Sequence, residues 1–309
     1  MKQKAKYLIV IVGPTAVGKT ALGIKLASFF KTEILSADSR QVFREMEIGT
    51  AKPSPEELSE VKHYFINSHS IYEEFNAGKF EEEGLKVLEG ILDTHNTAVM
   101  VGGSGLYIDA ICKGMDKIPA DPEIRNQLIK QLETEGLEKL QEQLARHDPD
   151  YFGKVDKQNP QRVMRALEVY LSTGIPYSVL RTRQEVERPF SIIKIGLDLE
   201  RAVLYERIDK RMDEMIGKGL FREAEKLYPL RHLNALQTVG YSEIFDYFAG
   251  IHNKEEAVRL LKRNSRRYAK RQLTWFRRDS SIQWFKPEED KKINEYISGL
   301  IEEKKTFNI

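Results

Sequence analysis

Residues Tyr7 to Thr20 read YLIVIV then GPTAVGKT: an apolar run leads straight into a glycine-rich turn that closes on Lys-Thr, and apolar helical spacing continues to Phe30. The order strand, turn, helix makes Gly13, Pro14, Thr15, Ala16, Val17, Gly18, Lys19 and Thr20 a complete phosphate-binding loop. Backbone N–H groups of such a loop converge on an anion at a helix N-terminus. Lys19 is placed to reach the terminal phosphates, and the Thr20 hydroxyl to meet Mg²⁺. The pattern specifies a di- or triphosphate without specifying which.

Outward from this loop, the chain alternates strands and helices. Strand patterns at Tyr7–Val12, 33–37, 63–67 and 97–101 are separated by helical spacing over 19–30 and 78–93, with a loop over 46–55. This alternation predicts an α/β fold: a parallel, P-loop NTPase-like sheet flanked by helices. Ligands bind such sheets beyond the carboxyl ends of the strands. The loop Gly13–Thr20, Asp38 and the Gly-Gly-Ser-Gly run 102–105 all fall at strand ends, so they should share one mouth. From about residue 116 to 189 the chain is charged and helical, with Asn159-Pro160 as a helix start and Gly174 as a stop. Val163, Leu167, Tyr170 and Leu171 form an apolar stripe there. Strand character returns at 191–198, and Arg201–Lys218 is helical with Arg207 and Arg211 one turn apart. The predicted organisation is a catalytic core of 1–115 and 190–309 carrying an all-helical insertion of 116–189. Helical segments are predicted to the end of the chain.

Composition narrows the class. The 309 residues are 41% hydrophobic and 31% charged, as expected of a globular protein. No run approaches the ~20 apolar residues of a membrane helix. Lys2, Lys4 and Lys6 before YLIVIV resemble a signal peptide, but the apolar part is short and enters the phosphate loop, so it reads as a core strand. One cysteine, Cys112, permits no internal disulfide and points to a reducing cytoplasm. Six scattered histidines show no ligand spacing. A monomer is the default expectation.

The net charge of +2 conceals an uneven distribution: residues 254–278 hold ten bases against two acids, a balance of +8 that leaves the remainder at −6. A basic block on an acidic body suits nucleic acid, with Tyr268, Trp275 and Phe276 interleaved for stacking on unpaired bases. The same pattern also fits a solvated helix face whose aromatics point into the core. Asp38 is an acidic residue at the end of the strand 33–37. It suits a metal ligand, a base that takes a proton from a neutral nucleophile, or a helix N-cap. Tyr107 and Phe43 read either as channel lining or, more simply, as core. Arg207 reads equally as a helix-surface ion pair or as a further phosphate partner.

The motifs GPTAVGKT, SADSRQVFREMEIGTAKPS, VGGSGLYIDA, DPEIR, NPQRVMRALEVYLSTG, RIDKRMDEMIGKGL, QTVGYSE and KRQLTWFRR together resemble the tRNA dimethylallyltransferase family over about residues 7–278, in order and spacing. The resemblance implies transfer of a dimethylallyl group from dimethylallyl diphosphate to the exocyclic amine of the adenosine 3′ to the anticodon. It implies that the loop holds the donor's diphosphate, with Mg²⁺ as cofactor and the tRNA anticodon stem-loop as partner. Asp38 matches the general base, while Thr20 and Arg211, with Lys19, match groups on the departing diphosphate. Matches to tRNA contacts are Asp38, Ser39, Arg40, Gln41, Ser104, Arg125, Gln161, Arg162, Val163, Met164 and Arg165. Further matches are Gln237, Thr238, Val239, Gly240, Tyr241 and Ser242, then Lys270, Arg271, Gln272, Thr274, Trp275 and Arg277. Gln237 and Ser242 stand where some relatives carry basic residues. Two rival readings of the loop are an ATP-dependent small-molecule phosphotransferase, which leaves the basic block unexplained, and an RNA-binding module switched by nucleotide.

Overall fold

The computed structural model describes residues 5–182 and 184–307; Lys2 and Lys4 lie outside them. In chain order the first elements are β1 (Tyr7–Val12), α1 (Lys19–Phe30), β2 (Ile34–Ala37), a 3-10 turn (Ile48–Thr50) and α2 (Pro55–Glu60). Next come β3 (His63–Tyr64), α3 (Ala77–His95), β4 (Thr97–Gly102) and α4 (Gly105–Lys113). Five helices follow: α5 (Pro122–Glu135), α6 (Leu137–His147), α7 (Pro149–Phe152), α8 (Pro160–Thr173) and α9 (Tyr177–Leu180). The chain continues through β5 (Ser191–Leu197), α10 (Arg201–Gly217), α11 (Leu220–Leu227), α12 (Ser242–Phe248), α13 (Lys254–Phe276), β6 (Ile282–Phe285) and α14 (Asp290–Phe307).

Among the described residues six parallel strands form one sheet in the order β3-β2-β4-β1-β5-β6. All six residues of β1 are buried, which is why YLIVIV is apolar throughout rather than alternating: helices cover both faces of a parallel sheet. Its core unites Ile9 and Ile11 with Leu22 and Leu26 of α1, Ile193 and Ile195 of β5, and Ile293 and Ile297 of α14. Register places Ile11 opposite Val101, and Ala37 opposite Gly102. The residues that follow, Gly13, Asp38 and Gly103, therefore emerge at one edge.

Two elements differ from the sequence pattern. The apolar character over 63–67 gives only a two-residue strand, because Phe65 and Asn67 adopt φ of 61° and 55° and turn the chain out of the sheet. The run Ile282–Phe285, which has no distinctive spacing, is an edge strand beside β5.

The chain forms two compact units, Met1–Cys112 with Glu187–Ile309, and Lys113–Val186. The limits lie slightly before 116–189. Arg188 belongs to the first unit: its guanidinium donates to the carbonyls of Ala110 (2.7 Å) and Ile111 (2.8 Å) and pairs with Glu81 (2.6 Å). The second unit packs Leu128, Leu140, Leu144, Val163, Met164, Ala166 and Leu167 into its own core. The Asn159 side chain accepts from the Arg162 N–H, Pro160 starts α8, and Gly174 at φ 72° stops it. Leu171, at the end of the predicted stripe, is 49% exposed.

Candidate active site

The loop after β1 is shaped by backbone rather than side chains. Gly18, the N-cap of α1, has φ 110° and no side-chain cap, and a Cβ on Gly13 would stand 2.6 Å from the Leu197 carbonyl. The first turn of α1 contains no acid, so its N–H groups and helix dipole face an anion uncompensated. Val17 is fully buried and anchors the loop to the core. Lys19 folds back, its Nζ donating to the Pro14 carbonyl at 2.7 Å. Arg211 of α10 donates from Nη1 to the Thr15 hydroxyl at 3.3 Å. Burial first, and then the neighbouring Arg211, lower the Lys19 ammonium to about 7 against the opposing pull of Asp38. Burial also lowers the Arg211 guanidinium from its ordinary value, again opposed by Asp38.

These groups line a cavity of about 390 Å³ together with Thr20, Asp38, Arg40, Gln41, Tyr268 and Gln272. Asp38 leaves the end of β2 into a turn. Its Oδ1 accepts the N–H groups of Arg40 (2.9 Å) and Gln41 (3.2 Å), and Oδ2 accepts no hydrogen bond among the described residues. Because 38–45 form turns rather than a helix, Asp38 caps a turn and not a helix. One oxygen of this cavity-lining carboxylate is thus pinned while the other is uncommitted. Ser104 braces this turn: its Oγ accepts the Ser39 N–H at 2.9 Å and bonds the Ser39 hydroxyl at 3.2 Å. Burial lowers the Arg40 guanidinium, with Tyr107 and Asp38 opposing, and burial raises the Tyr268 hydroxyl above its usual range, so that the phenol stays neutral. Tyr107 and Phe43 are core: Tyr107 stacks on Phe80 at 4.4 Å, and neither lines the cavity.

The opposite wall consists of Gly49, Thr50 and Ala51 with Thr238, Val239 and Gly240. Glu223 of α11 joins these two segments. Its carboxylate accepts the N–H groups of Glu47 (3.1 Å), Ile48 (2.7 Å) and Gly49 (2.9 Å), and the Tyr241 hydroxyl at 2.6 Å. Gln41 closes the wall from the other side, donating to the carbonyls of Thr50 and Ala51, each at 3.2 Å. Sequence spacing gives no sign of Glu223, because its backbone partners at 47–49 lie 174–176 residues away. Tyr241 is fully buried, so its side chain serves this junction and offers no surface to RNA. Gln237 is exposed and Ser242 half-buried.

The helix α13 borders the same cavity. It buries Ala257, Leu260, Leu261, Ser265, Ala269, Gln272 and Phe276. Part of its charge is neutralised by acids on neighbouring elements: Lys262 pairs with Asp213 (2.6 Å), Arg266 with Asp209 (2.5 Å), and Arg277 with Asp198 (2.6 Å). Arg267, Lys270, Arg271 and Thr274 are exposed at spacings of three, four and seven from the first, one face of a helix, and Arg278 is exposed in the turn that follows. Those four cations have no carboxylate partner among the described residues; Arg271 lies over the Tyr268 ring at 5.7 Å. Trp275 is 38% exposed and donates to Asp109 at 3.1 Å. Phe276 is core.

A family model described as IPP transferase matches residues 41–279. The tRNA dimethylallyltransferase of Cytophaga hutchinsonii is 52% identical over 299 residues, covering 96% of this chain and 98% of that one. The chain belongs to the IPP transferase family. Among solved structures, the full-length tRNA isopentenylpyrophosphate transferase of Bacillus halodurans is 39% identical with a TM-score of 0.72, covering 98% and 99% of the two chains. A eukaryotic dimethylallyltransferase acting on tRNA is 25% identical with a TM-score of 0.75, covering 96% of this chain and 80% of that one.

As in its first unit, this family member uses part of the residue set picked out in the second unit for internal structure. The Glu168 carboxylate, 4% exposed, takes Arg165 at 2.9 Å and Arg125 at 3.3 Å. Arg165 also donates to the Ile118 carbonyl at 3.0 Å, and Arg125 bonds Gln161. Arg162 and Gln161 are exposed. Val163 and Met164 are 0% and 1% exposed. They occupy the apolar stripe of α8, so their side chains pack the core and present nothing to a ligand.

Proposed function

We propose that this chain transfers the dimethylallyl group of dimethylallyl diphosphate to the exocyclic N6 amine of the adenosine immediately 3′ to the anticodon of tRNA, releasing diphosphate. The observation that carries the reading is the uncommitted Oδ2 of Asp38 in the same cavity as the anion cradle, Lys19 and Arg211. As the allylic C–O bond breaks, its electron pair goes to the leaving diphosphate. The loop N–H groups, Lys19 and Arg211 stabilise that charge. The adenine amine forms the new C–N bond and gives its proton to Asp38. The adenine is taken out of the anticodon stack to reach the cavity, at a cost of a few kcal/mol, which contacts to backbone and base offset. The exposed cations of α13 meet tRNA phosphates, with Trp275 beside them for stacking.

Thr20 suits Mg²⁺: its hydroxyl lines the cavity, has no hydrogen-bond partner among the described residues, and is the hard oxygen donor this ion favours. Among the described residues no group of three or more His, Cys, Asp or Glu could hold the ion by protein ligands alone. Diphosphate and water oxygens would complete the shell, and the ion would supply charge neutralisation for the leaving group. We place the chain in the cytoplasm as a monomer. No helix among the described residues is long and apolar enough to cross a membrane.

Incubation with dimethylallyl diphosphate, Mg²⁺ and bulk tRNA, followed by mass analysis of the nucleosides, tests the reading. Prenylated adenosine is expected from the wild-type protein and none from Asp38→Ala, which still binds tRNA. ATP consumption without tRNA and without prenylated nucleoside would instead establish the phosphotransferase.

A further inference from the structure

We infer that Gln272 is a positioning residue of the diphosphate cradle, supplied by the helix whose other face meets RNA. The inference rests on the proposed function and changes one contact within it: Gln272 acts on the loop and not on the tRNA. Gln272 is 6% exposed, whereas Lys270, Arg271 and Thr274 around it are exposed. A helix turns about 100° per residue, so one residue of this segment points inward while its neighbours point to solvent.

Both amide atoms are in use. Oε1 accepts the Thr15 N–H at 2.8 Å, and Nε2 donates to the Gly103 carbonyl at 3.0 Å. The first bond holds the loop after β1 and the second holds the loop after β4. A Cβ on Gly103 would stand 2.2 Å from Nε2, so glycine at the end of β4 makes room for this amide. Thr15 is held a second time through its hydroxyl by Arg211. Backbone and side chain of one cradle residue are thereby tied to α13 and α10. The carboxamide offers a donor and an acceptor at this separation; leucine matches its bulk with neither, and methionine with no donor and only a weakly accepting sulfur. The N–H groups from Ala16 to Thr20 take their aim from the chain path at Thr15, so releasing Thr15 misaims the cradle.

The test titrates inorganic diphosphate, and separately tRNA, into the wild-type protein, Gln272→Leu and Arg271→Ala. Gln272→Leu should weaken diphosphate binding by roughly tenfold, the upper scale of one lost neutral hydrogen bond, and leave tRNA affinity within about twofold. Its KM for the prenyl donor should rise while its KM for tRNA stays the same. Arg271→Ala should do the reverse. Lost tRNA affinity with intact diphosphate binding in Gln272→Leu, or no change in either, overturns the inference. Should Gln272→Leu not fold, Gln272→Met carries the same two outcomes. Failure of the proposed function reads differently: the wild-type protein then yields no prenylated tRNA, while the diphosphate titration still judges Gln272.

Discussion

Lys19 and Asp38 share a cavity of about 390 Å³ but are set for opposite tasks. Burial and then Arg211 lower the Lys19 ammonium to about 7, so near neutral pH the free protein holds it half charged. An anion in the cradle favours the charged form and raises this value again. Below pH 7 Lys19 is protonated with or without ligand. Between about 7 and the ordinary lysine value near 10.4 it gains a proton on binding. In that window affinity for a fully ionised diphosphate should fall as pH rises. Calorimetry at pH 8.5 in buffers of different ionisation enthalpy should show uptake of close to one proton, absent in Lys19→Met; zero uptake in the wild type would remove Lys19 from the anion. Gly13–Thr20 and Asp38 were legible in the sequence because a loop, its lysine and a strand-end acid are local patterns. Glu223 and the inward turn of Gln272 were not, since each depends on partners far away in the chain.

At the scale of elements, α13 combines a core helix and a basic surface, the two readings its sequence left open. Its apolar positions enter the core while its exposed stripe and the turn after it retain four cations without carboxylate partners among the described residues. The sequence showed the charge but not its neutralisation, because Asp198, Asp209 and Asp213 sit on or beside another helix. Each phosphate neutralised contributes about 0.7–0.9 to the slope of log affinity against log salt. Lys270→Ala with Arg271→Ala should therefore flatten the slope for tRNA by roughly 1.5, whereas Arg266→Ala, already paired with Asp209, should change it less. An equal effect from both would mean that the ion pairs open on binding. On α8 the periodicity that marked Val163 as part of an apolar stripe agrees with the burial of its side chain.

For the whole molecule, chain order announced a parallel sheet but not which strands are neighbours. The order β3-β2-β4-β1-β5-β6 sets β4 between β2 and β1, and this brings Asp38, Gly103 and the phosphate loop to one edge. The edge strand β6 escaped notice because four residues give too short a pattern, and its place is fixed by pairing with β5. The central claim is that the cradle at this edge grips a prenyl diphosphate with its reactive carbon turned toward Asp38. Crystals soaked with a donor analogue whose bridging oxygen is replaced by sulfur test it most directly. Density for the diphosphate is expected within Gly13–Thr20, with Arg211 beside it and the first prenyl carbon facing Asp38 Oδ2. Density for the head group away from this loop, or a prenyl chain directed away from Asp38, would contradict it.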